Sequence, residues 1–308
     1  MRDIRKILAV RNDRFGEFLL NIPAFRALKE TYPDARLTLA VKSGVRQLAE
    51  CIEYADKVVV WEEDFKRDLK KQGFDAVIIL NPAKEAHWLA FFSGIPARVG
   101  YDRKWGILLN YKMADKKGLG LKHEIEYNLD LVGLIGAKTI DKSLSLKLLP
   151  EYNNPEYAGA VAIHPYTSDK IKEWPVERFQ QLARRLAGSL KTKVLIVGKK
   201  ENLDRSESGE EFNNPGNNVI NLVGKTSLIE LAQILKQCRL LISCDSGPMH
   251  LAAAVGTPVL ALFRNDLPGK TAKRWGPWGN GHTVVEKSRL EDIGVEEVIE
   301  AINKYNNV

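Results

Sequence analysis

Residues 241–263 contain the side chains of this chain that are best placed to do chemistry. An apolar strand pattern stops abruptly at Asp245, Ser246 and Gly247, and a helical pattern of small residues that carries His250 follows. Such a turn brings a carboxylate, a hydroxyl and backbone N–H groups to a sheet edge, where the helix dipole favours an anion such as phosphate. The alternatives are an N-cap before an Ala-rich core helix and a packed structural histidine.

A second polar loop, residues 164–175, follows another strand pattern and is rich in hydroxyl groups and lysine. Thr167 and Ser168 could donate hydrogen bonds to a phosphate, and Lys170 and Lys172 could neutralise its charge. The alternative is an ordinary exposed loop, because lysine side chains are usually solvated. Farther along, Glu201 ends a strand pattern where a ribose-diol acceptor would stand, or else it is a surface residue at the start of a helix.

The first strand pattern of the chain runs into a charged loop that ends in a glycine before a helix. The loop is neither G-x-G-x-x-G nor a P-loop. Asp13 and Glu17 are candidate general bases, and Arg11 and Arg14 are candidate contacts to an anion. The alternative is a solvated connection in which Glu17 only favours the start of the helix.

The rest of the chain alternates between strand and helix patterns, which predicts parallel sheets covered by helices on both faces. Strands are predicted at 6–11, 36–41, 57–60, 75–80, 97–100, 159–163, 193–197, 219–223, 239–243 and 258–263, and helices at 17–32, 123–135, 177–186, 227–236 and 290–305. Pro23 predicts a kink or restart in the first helix. Periodicity is lost between 137 and 158, which predicts a linker between two domains.

Composition narrows the class of protein. The chain has 308 residues, 44% of them hydrophobic and 28% charged, as in soluble globular proteins of two domains. Its net charge of +7 suits an anionic ligand or membrane surface, and without a recognisable nucleic-acid-binding motif we expect no nucleic acid partner. Three scattered cysteines argue against a zinc site or disulfide framework and favour a reducing cytoplasm. The short apolar runs lead us to expect neither a signal peptide nor a membrane span.

Four regions together resemble glycosyltransferase family 9, the family of the ADP-heptose lipopolysaccharide heptosyltransferases. The matching regions are ILAVRNDRFGEFLLNIPAFRALKETYPDARLTLAV, IHPYTSDKIKEWPVERFQQLARRL, ISCDSGPMHLAAAVGTPVLALF and RWGPWGNGHTVV, in that order. The third is similar to the family signature Asp-Thr/Ser-Gly-x-x-His-x-Ala-Ala-x-x-Gly-x-Pro. The resemblance covers essentially the whole chain.

The resemblance implies a GT-B fold, an α/β architecture of two Rossmann-like doubly wound domains with an interdomain cleft. Residues 1–150 are the expected acceptor-binding domain, 151–289 the nucleotide-sugar-binding domain, and 290–308 a helix that returns to the first domain. The implied reaction is inverting transfer of heptose from ADP-L-glycero-D-manno-heptose to a lipopolysaccharide core acceptor of the Kdo/heptose–lipid A type. The family is expected to need no metal and no other cofactor, so the protein must itself stabilise the departing diphosphate.

The site residues implied by the resemblance fall in both domains. The donor would contact Thr167, Ser168, Lys172, Glu201, Thr226, Asp245, Ser246, Gly247 and His250, and the acceptor would contact Arg14 and Gly16. Lys172 is also expected to act in catalysis. The family's first loop ends in Gly-Asp, whose carboxylate is the base, whereas this chain has Gly16 followed by Glu17, so Glu17 or Asp13 would take that role.

The resemblance also implies partners and a location. The expected partners are the nucleotide sugar, a glycolipid acceptor and an anionic membrane surface, and the protein is expected to act as a monomer in the cytoplasm, at the inner face of the inner membrane. Basic residues of the first domain are acceptor-side candidates: Lys84, Arg98, Arg103, Lys104 and Lys122. Two alternatives stay open, a transferase with another nucleotide-sugar donor and a non-catalytic homologue that binds the nucleotide sugar. An NAD-dependent oxidoreductase is disfavoured because no glycine fingerprint follows either first strand.

Overall fold

Each half of the chain folds around its own six-stranded parallel sheet. The computed structural model describes residues 4–148, 154–188, 192–201 and 218–306, and the chain divides into two compact units, Met1–Lys147 and Leu148–Val308. The predicted boundary at 150–151 lies outside the described residues. Among the described residues, no helix has both the length and the apolar character that crossing a bilayer requires.

The sheet of the first unit has the order β3-β2-β1-β4-β5-β6. Its strands are β1 (Lys6–Arg11), β2 (Arg36–Val41), β3 (Lys57–Val60), β4 (Ala76–Ile79), β5 (Ala97–Asp102) and β6 (Tyr111–Ala114). Its helices are α1 (Phe15–Leu19), α2 (Ile22–Thr31), α3 (Arg46–Ala49), α4 (Glu63–Arg67), α5 (Leu69–Gln72), α6 (Lys84–Phe92) and α7 (Glu124–Gly133). The strand order reverses between β1 and β4, so the loops after these two strands leave the sheet in opposite directions and open a crevice.

The polypeptide that follows β1 forms two helices where the sequence predicts one broken at Pro23. The first helix, α1, ends at Leu19, and α2 begins at Ile22 with Pro23 in its first turn. Proline is accepted there because the first amides of a helix have no intrahelical partner. The restart keeps Phe18 and Phe25 in contact, with ring centroids 5.7 Å apart, and buries both against the sheet.

The sheet of the second unit has the order β12-β11-β10-β7-β8-β9. Its strands are β7 (Val161–His164), β8 (Val194–Ile196), β9 (Val219–Asn221), β10 (Leu240–Cys244), β11 (Val259–Arg264) and β12 (Thr283–Lys287). Its helices are α8 (Val176–Gly188), α9 (Leu228–Gln237), α10 (Gly247–Ala254), α11 (Ala272–Trp275) and α12 (Val295–Asn306). Here the order reverses between β7 and β10, and the two most polar predicted loops follow these two strands.

One side of the second sheet is covered by α8 and α12. Trp174 is fully buried, packs edge-on against Phe179 with centroids 4.7 Å apart, and donates to the carbonyl of Ile293 at 2.9 Å. Val298 and Ile302 of α12 belong to the same apolar cluster, so the last helix contributes to the core of the second unit. Its predicted return to the first domain stays a prediction.

Two strands escaped the sequence analysis, and both lie at a sheet edge. β6 alternates half-buried and exposed residues, and β12 buries only Val285 among its five residues. An edge strand has a neighbour on one side only, so it does not need the continuous apolar run that marks the central strands.

Candidate active site

The turn after β10 places the predicted anion-binding residues at the carboxyl edge of the second sheet. Ser246 stands at the N-cap position of α10, but its side chain makes no capping hydrogen bond to the helix. Its hydroxyl lies 2.8 Å from the hydroxyl of Ser243 instead. Ser246 therefore does not act as the simple side-chain N-cap that was one of the predicted alternatives. The N-terminal end of α10 lies at the sheet edge, directly after Asp245.

Ser243 links this turn to His164, a residue that the sequence analysis missed. The two residues are register partners on β10 and β7, and the Ser243 hydroxyl lies 3.4 Å from Nδ1 of His164. Burial lowers the pKa of His164 to about 3, so its imidazole is neutral at physiological pH. The sequence signal that could have revealed this contact is a polar residue, His164 or Ser243, in each of two otherwise apolar strands. In the structure, Ser243 and His164 together orient the hydroxyl of Ser246.

Lys172 reaches Asp245 from the loop after β7. Its Nζ lies 2.5 Å from Oδ2 of Asp245, and the two side chains are 21% and 10% exposed. Lys172 ends a short 3-10 turn that Asp169 caps by accepting from the amide of Ile171 at 3.3 Å. The predicted lysine and the predicted carboxylate thus meet at the switch point of the sheet, next to the start of α10.

The two predicted hydroxyl residues before Lys172, Thr167 and Ser168, have different environments. The Thr167 hydroxyl donates to the carbonyl of Asp169 at 2.8 Å and shapes the loop, whereas Ser168 is exposed. His250 is buried on α10, one turn after Gly247, as its position in the sequence indicates.

The predicted nucleoside contacts share this edge of the sheet but do not touch Lys172 or Asp245 in the structure. Glu201 follows β8, is exposed, and lies 3.8 Å from the ammonium of Lys199. Thr226 follows β9, half-buried, directly before Ser227, which with Glu230 forms the capping box of α9. β8 lies two strands from β10 in the sheet, so the two strands are about 10 Å apart.

The loop of Lys172 is braced from β11 by charged residues that sequence reasoning did not single out. Arg264, the last residue of β11, makes a two-pronged contact with Asp266, at 2.7 Å for each prong. It also donates to the carbonyl of Ile171 at 3.1 Å, while Lys270 pairs with Asp169 at 3.2 Å. The sequence feature that could have predicted these contacts is the arginine at the end of the otherwise apolar strand β11.

In the first unit, the charged loop after β1 is fastened to the residues after β4. Buried Arg11 contacts Oδ1 of Asp13 at 2.7 Å and donates to the carbonyl of Leu80 at 2.8 Å. Next to it, Asn81 donates to the side chain of Asn12 at 2.7 Å. The two loops at the switch point of the first sheet are therefore held together by side chains.

Glu17 is the more buried of the two predicted bases. It sits in the first turn of α1, its side chain is 14% exposed, and burial raises its pKa, with the Arg14 guanidinium 2.5 Å away opposing that shift. Asp13 instead is held by Arg11. Gly16 is buried in α1 beside Glu17, and Arg14 is largely exposed. The four first-unit site residues thus span the end of the loop after β1 and the first turn of α1.

A cavity of about 180 Å³ opens at the carboxyl ends of β4 and β5, next to that loop. Its lining residues are Ile79, Asn81, Pro82, His87, Tyr101, Arg103, Lys104 and Trp105. Two of the basic acceptor-side candidates, Arg103 and Lys104, line it, and Arg103 pairs with Asp115. Lys122, by contrast, pairs with Asp130 at 2.6 Å.

Two doubly wound parallel sheets, each with polar side chains gathered at its switch point, define an α/β protein of the GT-B class. Within that class the chain belongs to glycosyltransferase family 9, the heptosyltransferase family, whose model matches residues 63–298. It is therefore a glycosyltransferase, as the resemblance predicts.

The relatives cover most of the chain at low identity. A protein of Haemophilus influenzae that is provisionally named a glycosyltransferase is 26% identical, over 89% of this chain and 86% of its own. Lipopolysaccharide heptosyltransferase 2 of Escherichia coli is 22% identical, over 86% of this chain and 84% of its own.

Solved structures share the fold over almost the whole length. A family 9 glycosyltransferase of Veillonella parvula has a TM-score of 0.82 at 21% identity, with 98% of this chain and 97% of that chain covered. The E. coli heptosyltransferase WaaC, solved with ADP-2-deoxy-2-fluoro heptose, has a TM-score of 0.74 at 20% identity, with 97% and 99% covered.

The expectation that such proteins contain no metal is wrong. TibC of enterotoxigenic E. coli, described as an iron-containing dodecameric glycosyltransferase, matches with a TM-score of 0.64 and 17% identity, over 100% of this chain and 77% of that chain. In the described part of the present chain, no group of three or more His, Cys, Asp or Glu residues could hold a metal ion.

Proposed function

We propose that the protein transfers heptose from ADP-L-glycero-D-manno-heptose to a lipopolysaccharide core acceptor of the Kdo/heptose–lipid A type, with inversion at the anomeric carbon. The observation that carries this proposal is the contact between Lys172 and Asp245 at the switch point of the second sheet. The relatives support the choice of donor, since WaaC was solved with ADP and with a fluorinated ADP-heptose.

The charge that develops on the departing diphosphate is met by three groups. An ammonium has three N–H donors, so Lys172 can keep its contact with Asp245 and still donate to phosphate oxygens. The backbone N–H groups at the start of α10, next to Gly247, supply further donors in a fixed orientation. The hydroxyl of Ser246, which donates to Ser243 in the structure, can turn to a phosphate oxygen when the donor binds. This arrangement stabilises ADP as a leaving group.

The proton of the attacking hydroxyl goes to Glu17. As the acceptor oxygen forms its bond to C1 of the heptose, the bond from C1 to the diphosphate oxygen breaks, and its electron pair leaves with ADP. Glu17 takes the acceptor proton, and the raised pKa makes its carboxylate a stronger base than an exposed glutamate. Asp13, tied to Arg11, is the alternative base.

The remaining site residues fix the two substrates. Glu201 accepts from the ribose hydroxyls, Thr226 lines the adenine pocket, and Thr167, Ser168 and His250 complete the donor site. Arg14 and Gly16 contact the acceptor, and the neighbouring cavity with Arg103 and Lys104 takes its anionic groups. The protein acts as a monomer in the cytoplasm, at the inner face of the inner membrane, where a glycolipid acceptor is available.

Calorimetric titration with ADP and with UDP tests the donor site directly. We expect ADP to bind and UDP to bind more weakly, and we expect Lys172→Ala to weaken ADP binding. Lys236→Ala is the matched control, because this exposed lysine lies in the last turn of α9, which leads into the opposite, amino-terminal edge of the same sheet at β10. Tight binding of UDP would favour another nucleotide-sugar donor, and absence of binding by either nucleotide would overturn the proposal.

A further inference from the structure

An exposed apolar cluster lies on the first unit, formed by the end of α6 and the turn at 106–108. Phe91, Phe92 and Ile107 are 44%, 68% and 84% exposed, although large apolar side chains are usually buried in the protein interior. The turn that carries Ile107 packs against α6, which carries the two phenylalanines. Exposed apolar side chains grouped on neighbouring elements mark an interaction site.

Aromatic rings connect this surface to the cavity described above. Phe91 meets Phe92 at a centroid distance of 5.6 Å, Phe92 stacks on Trp88 at 5.5 Å, and Trp88 meets Trp105 at 5.8 Å. Trp105 lines the cavity. The rings therefore form a continuous path from the exposed surface to the cavity mouth.

Cations surround the same rings. Lys84 and Lys104 lie 5.1 and 5.4 Å from the centre of the Trp105 ring, and Arg98 lies 5.5 Å from that of Phe91. Arg98 is held by the carbonyls of Leu108 and Ile95, at 2.7 Å each. Within the described ranges, neither Lys84 nor Lys104 has a carboxylate within ion-pair distance, so the surface carries unbalanced positive charge.

We propose that Phe91, Phe92 and Ile107, together with Lys84 and Lys104 at the adjoining Trp105 ring, dock the protein on an anionic phospholipid bilayer. Aromatic and aliphatic side chains enter the interfacial region of a bilayer, and lysines beside them attract acidic headgroups. The inference rests on the proposed function, because docking here would bring a membrane-embedded glycolipid to the cavity that Lys104 and Trp105 line. It goes beyond that function by naming the surface and the lipid charge that it needs.

The charge pattern favours a bilayer over a second copy of the chain. In a two-fold dimer the same surface contacts itself, so the cations at Trp105 and Phe91 of both copies would be brought into one interface. Like charges across an interface disfavour association, whereas acidic headgroups neutralise every lysine at once.

Flotation of the full chain with lipid vesicles tests the proposal. We expect binding to phosphatidylglycerol-containing vesicles and weak binding to pure phosphatidylcholine, with a loss at high salt. The double variant Phe92→Ser/Ile107→Ser should bind at least about tenfold more weakly, because two apolar groups no longer enter the bilayer. Ile140→Ser is the matched control, since this residue of the same unit is fully exposed outside the cluster and its replacement should change nothing.

Three outcomes would overturn the proposal: no binding of the native chain to anionic vesicles, equal binding by the double variant, or dimerisation that the double variant abolishes without any vesicle binding. ADP titration of the same samples separates this inference from the proposed function. If ADP binds and vesicles do not, only the docking surface fails. If vesicles bind and no nucleotide does, only the donor site fails.

Discussion

The ammonium of Lys172 lies 2.5 Å from a carboxylate oxygen of Asp245, although 73 positions of sequence separate them. The parallel pairing of β7 with β10 brings them together, because the loops that carry them leave neighbouring strands at the switch point. Asp169, Arg264 and Lys270 then hold the loop of Lys172 in place. This cation at the start of α10 is the centre of the proposed donor site.

Lys172→Ala should weaken ADP binding by about 10- to 100-fold, because a charge-assisted contact to phosphate contributes about 1.5–3 kcal/mol. Lys172→Arg should lose less, since the charge remains. Calorimetry measures both, with Lys236→Ala as the control. An unchanged dissociation constant for Lys172→Ala would mean that the pair with Asp245 is structural only.

Glu17→Gln should lower kcat by at least about 10²-fold and leave ADP affinity unchanged, because only proton transfer is removed. Asp13→Asn should lower kcat less. Steady-state kinetics with a saturating donor measure both variants. If Asp13→Asn has the larger effect, Asp13 is the base, and Glu17 only supports the start of α1.

The acid limb of kcat/KM should follow the pKa of Glu17, because Glu17 must be ionised to accept a proton. Arg14 lowers that pKa, so Arg14→Ala should raise it further and move the acid limb to higher pH. Arg46→Ala is the control, since Arg46 pairs with the exposed carboxylate of Glu50 at the end of α3, away from Glu17. A shift to lower pH, or an equal shift in both variants, would contradict this account of Glu17.

Glu17→Gln should raise the melting temperature at neutral pH. Because burial raises the pKa of Glu17 in the folded state, the ionised side chain destabilises the fold as pH rises through that pKa. The pair with Arg14 offsets little of this, since the Arg14 side chain is 70% exposed. The gain should vanish below about pH 4.3, the ordinary pKa of glutamate, where both side chains are neutral. Thermal denaturation across pH measures it, and a lower melting temperature at neutral pH would contradict the prediction.

The sequence predicted the parts of the fold that burial alone determines. Central strands such as β1 and β10 are buried on both faces and read as unbroken apolar runs, so their positions were found to within a residue. The edge strands β6 and β12 need no such run and were missed. The break at Pro23 was foreseen because the helix-breaking effect of proline is local.

Sequence reasoning reached the candidate residues but not the contacts between them. Lys172 and Asp245 were both candidates from their residue types, yet their contact depends on which strands are neighbours, and no local pattern encodes that order. His164 and Arg264 were missed because their roles, contact with Ser243 and support of the Lys172 loop, exist only after the sheet forms. The exposure of Phe92 could not be predicted either, because apolar residues at a helix end have the same sequence pattern as buried core residues.

The most direct test of the central claim is transfer itself. The native chain and Glu17→Gln would be incubated with ADP-L-glycero-D-manno-heptose and a Kdo–lipid A acceptor, followed by mass spectrometry and determination of the new anomeric configuration. The account predicts one heptose added by the native chain, with a configuration opposite to that of the donor, and little product from Glu17→Gln. Retention of configuration, full activity of Glu17→Gln, or no transfer by a chain that binds ADP would contradict it.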